Sequence, residues 1–281
     1  MPELPEVETI ARGLHNRVAG DTIESVWLGE KPEPFKSDPE EIARVLDHSH
    51  IIRVQRIGKH IVFDLERRQS KRGGRKSDAQ WIVHLGMTGR MQVTSPDAEI
   101  DRHTHAIVKL ASGREIRFVD ARRFGRLAVV GSSSSGTEKF AAPGDEPLNA
   151  RVERFIKLFR GRKSPIKSAL LNQKLLSGVG NIYADESLFR AGIRPRRRAS
   201  SLAQDELRKL HTSIQVVLRE AIAAGGSSVS DYVDADGKEG FFQIQHRVYG
   251  RKGEPCLVCE TPIKRIVITG RSSHYCPRCQ K

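Results

Sequence analysis

The sequence predicts an α+β chain in three successive parts: a β-sandwich opened by one helix, a helical region, and a C-terminal β-hairpin between paired cysteines. Three observations lead there. Seven strand-like runs fall within residues 22–131, behind a single clear helical stretch. The pattern then switches to amphipathic helical segments between residues 150 and 226. Finally, all four cysteines stand near the end, as Cys256, Cys259, Cys276 and Cys279, in the pattern C-x2-C-x16-C-x2-C.

Residues 5–18 read as the opening helix. Pro5 suits a first helical position, Val7, Ile10, Leu14 and Val18 mark one apolar stripe, and Gly20 offers a stop. The strand-like runs are TIESVWL, IIRVQRI, HIVFDL, WIVHLGM, HAIVKL, EIRFVD and RLAVVG. Their short spacing, with almost no second helix among them, indicates a sandwich or barrel. RRQSKRGGRKSDAQ (67–80) reads as a long basic loop between two strands, and GSSSSGTEK (131–139) as the start of a linker. Helices are expected in ARVERFIKLFRG, SPIKSALLNQKLLSG, NIYADESLFRAG and SLAQDELRKLHTSIQVVLREAIAAGG, the last capped by Ser200 or Ser201 and ended by Gly225-Gly226. PIKRIVITGRSSHYC alternates around a Thr-Gly turn, hence a hairpin.

Charge is distributed unevenly. Of the net +14, residues 1–150 hold 23 Lys/Arg against 22 Asp/Glu, so nearly all the excess lies in the second half. That asymmetry suits a polyanionic partner met mainly by the C-terminal half; a basic face kept for solubility is the plainer alternative. No apolar run reaches the roughly 20 residues of a membrane span. The first residues carry acids where a signal peptide has bases, so a cytoplasmic protein is expected. In that setting the two C-x2-C pairs favour one zinc ion over two disulfides. Four thiolates leave no open coordination position, which makes the metal structural.

MPELPEVET, HLGMTGR, DARRFG, GVGNIYADESLFRAGI, DGKEGFFQ and VYGRKGEPCLVC, in that order, resemble the bacterial formamidopyrimidine-DNA glycosylases. The resemblance runs the length of the chain. It implies a catalytic β-sandwich domain over 1–135, a linker over 136–150, a helix–two-turns–helix DNA-binding domain over 151–243 and a four-cysteine zinc finger over 244–281. It also implies a bifunctional enzyme that removes oxidised purines from duplex DNA and then cuts the strand by β,δ-elimination. The expected partner is double-stranded DNA with oxidised bases, met by a monomer at the bacterial nucleoid.

By this resemblance Pro2, exposed when Met1 is removed, is the nucleophile. A terminal amine has a reference pKa of about 7.7–8.0, so part of it is neutral and reactive near neutral pH. A secondary amine gives an iminium that cannot lose an N–H proton, which favours elimination. Glu3 matches the acid that protonates the sugar ring oxygen, Glu6 a supporting carboxylate, and Lys59 a lysine near the lesion's phosphate. His105, Lys167, Asn181 and Arg271 fall on DNA-binding positions, and Gly178 and Gly180 suit a turn with N–H groups near phosphate. Met87, Arg122 and Phe124 match the residues that fill the void behind a flipped nucleotide. From their types alone, Met87 and Phe124 would sit in a core. Residues 225–243 match a segment that covers the flipped base. His60 departs from the family, standing where many members have tyrosine. Two other functions compete: an endonuclease VIII-like glycosylase for oxidised pyrimidines, and a non-catalytic zinc-containing nucleic-acid binder.

Overall fold

Helix α1 (Leu4–Val18) forms where its apolar stripe predicts. Pro5 takes the second helical position, because the extended residue before the helix is Glu3 (φ −102°, ψ −170°). Val7, Ile10, Leu14 and Val18 are buried, and the chain leaves through Gly20 in left-handed backbone (φ +85°). The structure is a computed structural model that describes residues 1–67, 77–131, 139–228 and 240–281. Most of the predicted basic loop, the serine run of the linker and most of the covering segment lie outside the described residues.

These residues fall into two compact units, Met1–Ala141 with Ser227–Gly240, and Ala142–Gly226 with Phe241–Lys281. The first unit carries strands β1 (Ile23–Leu28), β2 (His50–Ile57), β3 (His60–Arg67), β4 (Ser77–His84), β5 (Arg90–Thr94), β6 (Thr104–Leu110), β7 (Glu115–Val119) and β8 (Arg126–Val130). They make two antiparallel sheets, β1-β6-β7-β5 and β2-β3-β4-β8. Phe63, Trp81 and Val83 from one sheet and Val108, Ile116 and Phe118 from the other join the α1 stripe in one core.

Three details depart from the sequence expectation. A second helix, α2 (Pro39–Leu46), follows β1; Asp38 caps it by accepting the Glu40 N–H (2.8 Å), and Ile42, Val45 and Leu46 are buried. Its cap, its Pro and its apolar spacing were all present in SDPEEIARVL. Strand β5 was not expected, since five residues give little alternation to detect. Strand β4 pairs from Ser77 to His84, so it takes Ser77–Gln80 from the predicted loop and releases Leu85–Met87 into a connection.

That release has a topological cause. Residues 85–89 carry the chain from β4 to β5, and residues 120–125 carry it from β7 back to β8. Because β4 neighbours β8 in one sheet and β5 neighbours β7 in the other, these two of the three sheet-to-sheet connections run side by side.

In the second unit lie α3 (Val152–Phe159), α4 (Ile166–Leu170), α5 (Asn181–Ala191), α6 (Gln204–Ala223), β9 (Lys264–Ile268) and β10 (Arg271–Tyr275). Helix α4 is shorter than predicted. The Asn172 side chain accepts the Lys174 N–H (3.0 Å), a local turn that competes with helix. Ser200 and Ser201 do not cap α6; they lie in a 3-10 turn, and the cap residue is Ala203, whose N–H donates to Glu206 Oε2 (2.8 Å). The hairpin turns through Thr269 (φ +44°) and Gly270 (φ +76°), both left-handed, which matches the right-handed strand twist. No helix among the described residues is long and apolar enough to cross a membrane.

Candidate functional site

The start of α1 gathers the first group. Glu3 (4% exposed) and Glu6 (2%) are both buried, while Pro2 is half-buried beside them in sequence. Glu6 joins two backbone segments: Oε2 accepts the Glu3 N–H (2.8 Å) and Oε1 accepts the Ser227 N–H (2.8 Å). Glu6 therefore fixes the chain end and the first residues of the covering segment together.

Lys59 sits in the two-residue turn between β2 and β3, after left-handed Gly58 (φ +60°), and is 7% exposed. A turn lysine is ordinarily solvated, so its burial marks a specific environment. Its charge acts on His84, whose pKa is lowered to about 4, first by burial and then by His60, Lys59 and Arg126. His60 packs its ring 4.9 Å from His84 and 4.8 Å from Phe140, and burial lowers its pKa too. The neutral His84 accepts the Gly86 N–H on Nδ1 (3.1 Å).

The two sheet-crossing connections display the expected void-filling residues. Met87 is 42% exposed and Phe124 52%, so neither belongs to the core that their types alone suggest. The Arg122 guanidinium carbon lies 4.8 Å from the Phe124 ring centroid, a cation–π stack that keeps both side chains on one face. His105 is buried rather than presented at a surface; its Nε2 lies 2.9 Å from the carbonyl oxygen of Asp120.

In the second unit, α5 organises the hairpin. Asn181, its first residue, donates from Nδ2 to Ser272 Oγ (3.2 Å), bringing it to the neighbour of exposed Arg271. Lys167 has no exposed surface. Its Nζ pairs with Asp185 Oδ1 (2.6 Å) and donates to the Ser272 carbonyl (2.5 Å), so it does not stand where a phosphate could meet it directly. Asp185 Oδ2 accepts the His274 N–H (2.8 Å). The next residue, Glu186, accepts the N–H groups of Arg247, Val248 and Tyr249 (2.8–3.0 Å). Burial pushes its carboxyl up and the three donors hold it down. The Gly178 N–H, expected to face phosphate, donates instead to Gln173 Oε1 (2.9 Å). Asp120, Gln173, Asp185 and Glu186 are thus important groups that sequence reasoning missed.

The four cysteine sulfurs all lie within 4.8 Å of one another, with individual separations of 3.3, 3.4 and 3.9 Å. A disulfide requires about 2.05 Å. Thiolates about 2.3 Å from a tetrahedral zinc stand roughly 3.8 Å apart, so this set fits the ion. A hydrogen bond from the Thr261 side chain lowers the Cys259 pKa to about 6, while burial raises Cys276 and Cys279. Zinc binding requires these thiols to give up their protons.

Three family descriptions match the chain: the Formamidopyrimidine-DNA glycosylase N-terminal domain over residues 1–127, its H2TH domain over 143–233, and the zinc finger found in FPG and IleRS over 253–281. The chain belongs to the formamidopyrimidine-DNA glycosylase family. It is 45% identical to the family member of Solibacter usitatus and 42% identical to that of Gluconobacter oxydans, covering all of each. Among solved family structures, MutM (FPG) of Thermus thermophilus is 39% identical with a TM-score of 0.82, over 99% of this chain and 98% of that one. A Lactococcus lactis FPG variant solved with Fapy-dG-containing DNA is 31% identical with a TM-score of 0.86, over the whole of both chains. The L. lactis wild type has also been solved with DNA containing an oxidised pyrimidine. One structural zinc belongs to the family's C-terminal finger and to this cysteine cluster.

Proposed function

We propose that the chain excises oxidised purines, 8-oxoguanine and formamidopyrimidines, from duplex DNA and then cleaves the strand as a lyase, in the cytoplasm at the nucleoid. The observation that carries this is the start of α1, where two buried glutamates follow a half-buried proline that becomes the terminal residue once Met1 is removed.

On this reading the Pro2 nitrogen attacks C1′ of the damaged nucleotide, the glycosidic bond electrons leave with the base, and the amine's N–H proton is lost to the departing base or to water. Glu3 gives its proton to the ring oxygen as the sugar opens, leaving an iminium between Pro2 and C1′. That cation acidifies the C2′ hydrogens; loss of one expels the 3′ phosphate, and a second elimination expels the 5′ phosphate. Glu6, with both oxygens occupied by backbone N–H groups, holds the chain end in place rather than moving protons. Lys59, Asn181 and Arg271 are the candidates for phosphate contact. His105 and Lys167, both buried, act by holding Asp120 and the hairpin. Zinc, when bound, supplies no chemistry; its thiolates hold the hairpin that carries Arg271.

The test is borohydride trapping of Met1-processed protein on a duplex with 8-oxoguanine opposite cytosine. A covalent adduct is expected from the wild type and none from Pro2→Gly or from protein retaining Met1, with Glu3→Gln strongly impaired. Absence of an adduct from processed wild type refutes the enzyme and leaves a DNA-binding protein. A parallel duplex with an oxidised pyrimidine ranks the two lesion classes, and faster trapping there overturns the purine preference.

A further inference from the structure

Asp120 is fully buried at the end of β7, and its carboxylate spans both sheet-crossing connections. Oδ1 accepts the Thr88 hydroxyl (2.5 Å) from the first connection and the Arg122 N–H (3.2 Å) from the second. Oδ2 accepts the Gly125 N–H (2.7 Å). Thr88 directly follows Met87, while Arg122 and Gly125 bracket Phe124. One side chain thus holds the Thr88 hydroxyl beside Met87 and the backbone on either side of Phe124, next to all three expected void-filling residues. Asp120 is itself held from behind, since its N–H donates to the His103 carbonyl (3.0 Å) and its carbonyl lies against His105 Nε2.

A second contact joins the same connections. Gly86 is left-handed (φ +63°), and a Cβ there would lie 2.5 Å from Gly125 N and Phe124 C. The two loops therefore meet backbone to backbone, and only glycine permits it. A wedge entering stacked bases must overcome their stacking. Three side chains on independently mobile loops would yield to that load.

We infer that Asp120 is the positioning residue that locks the two connections into one rigid wedge, so that Met87, Arg122 and Phe124 enter DNA as a unit. The inference rests on the void-filling role that the family resemblance implies for these three residues. The geometry suits a side chain that only accepts: three donors converge on two oxygens, and an amide would turn its own N–H groups toward one of them.

The experiment compares wild type with Asp120→Asn, Thr88→Val, Thr88→Ser and Phe124→Ala in two reactions. One is single-turnover base release from an 8-oxoguanine:cytosine duplex, which needs the wedge; the other is strand elimination at an abasic site in a single strand, which does not. Asp120→Asn is expected to slow the first by about tenfold or more, the scale on which misplaced groups act. The second should change by less than about twofold, since that reaction loses no interaction. Fluorescence of 2-aminopurine beside an abasic analogue, which rises when a wedge unstacks it, should rise less with Asp120→Asn. Thr88→Val removes one donor without charge and should fall between, while Thr88→Ser keeps the hydroxyl and should track wild type. Equal slowing of both reactions by Asp120→Asn and Thr88→Val reduces the carboxylate to a fold-stability role and overturns the inference. Slowing by Phe124→Ala alone overturns it too, while leaving the wedge. An unchanged duplex rate in Phe124→Ala sinks the wedge reading itself.

Discussion

Lys167 separates two ways in which a lysine at this position can matter. If it gripped a phosphate, Lys167→Met would weaken DNA binding and leave stability alone. The structure instead buries both members of the Lys167–Asp185 pair, with side chains 1% and 0% exposed. Breaking a buried pair by removing one partner costs about 3–5 kcal/mol, because the remaining charge is stranded. Here Asp185 keeps the His274 N–H on Oδ2, which places the stranding cost near the lower limit, about 3 kcal/mol. The Ser272 carbonyl also loses its Nζ donor, adding about 1 kcal/mol. The expected total is about 4 kcal/mol, a large share of a typical domain's stability.

The diagnostic variant is the double mutant. Asp185→Asn removes the stranded charge but keeps an oxygen for the His274 N–H, so Lys167→Met/Asp185→Asn should be about 1–2 kcal/mol more stable than Lys167→Met alone. Urea unfolding should be followed by circular dichroism and by zinc release to a chromophoric chelator. Tryptophan fluorescence is unsuitable, because Trp27 and Trp81 both lie in the first unit. A Lys167→Met protein within about 1 kcal/mol of wild type, or a double mutant less stable than the single, would refute the buried-pair argument.

Two further outcomes follow from the geometry. His84 and His246 have pKa values lowered to about 4, chiefly by burial, so between about pH 6.5 and pH 4 the unfolded chain binds more protons than the folded one. Stability should therefore fall as the pH drops across that window, by up to about 3 kcal/mol for each histidine, and a urea midpoint that stays flat from pH 7 to pH 4.5 would contradict it. Titration with an organomercurial should consume four thiols and release one zinc per chain, abolishing duplex binding as the hairpin loosens; a second equivalent of zinc, or binding that survives release, would exclude a single structural ion.

What could be read in advance follows from which interactions are local. The α1 stripe, the strand runs and the C-x2-C pairs are each set by neighbours within a few residues, and apart from the shifted β4 and the unexpected β5 each appears where the pattern puts it. Helix α2 was legible in the same way, through Asp38, Pro39 and its apolar spacing, but lay within a segment dominated by strand signals. The burial of Lys167 was not legible. Its partners Asp185 and Ser272 stand 18 and 105 residues away, so only the folded chain brings them together. The exposure of Met87 and Phe124 was equally hidden: apolar side chains read as core, and only the paired sheet crossings show that their loops are turned outward. The resemblance pointed to both residues; the topology explains why they can serve.

A common device underlies the parts that composition concealed. Glu6 receives the N–H groups of Glu3 and Ser227, Asp120 those of Arg122 and Gly125, Asp185 that of His274, and Glu186 those of Arg247, Val248 and Tyr249. Each is a buried carboxylate accepting backbone donors; the first three hold segments that carry candidate site residues, and Glu186 holds the chain that leads into the zinc finger. A protein with 48 Lys/Arg presents cations outward to a polyanion, and the same field would pull flexible loops out of register with it. Carboxylates bonded to backbone resist that without adding negative charge to the contact surface. Neutralising any one of the four should then loosen a loop rather than remove a contact, and its signature is lost geometry at the site with the basic surface intact.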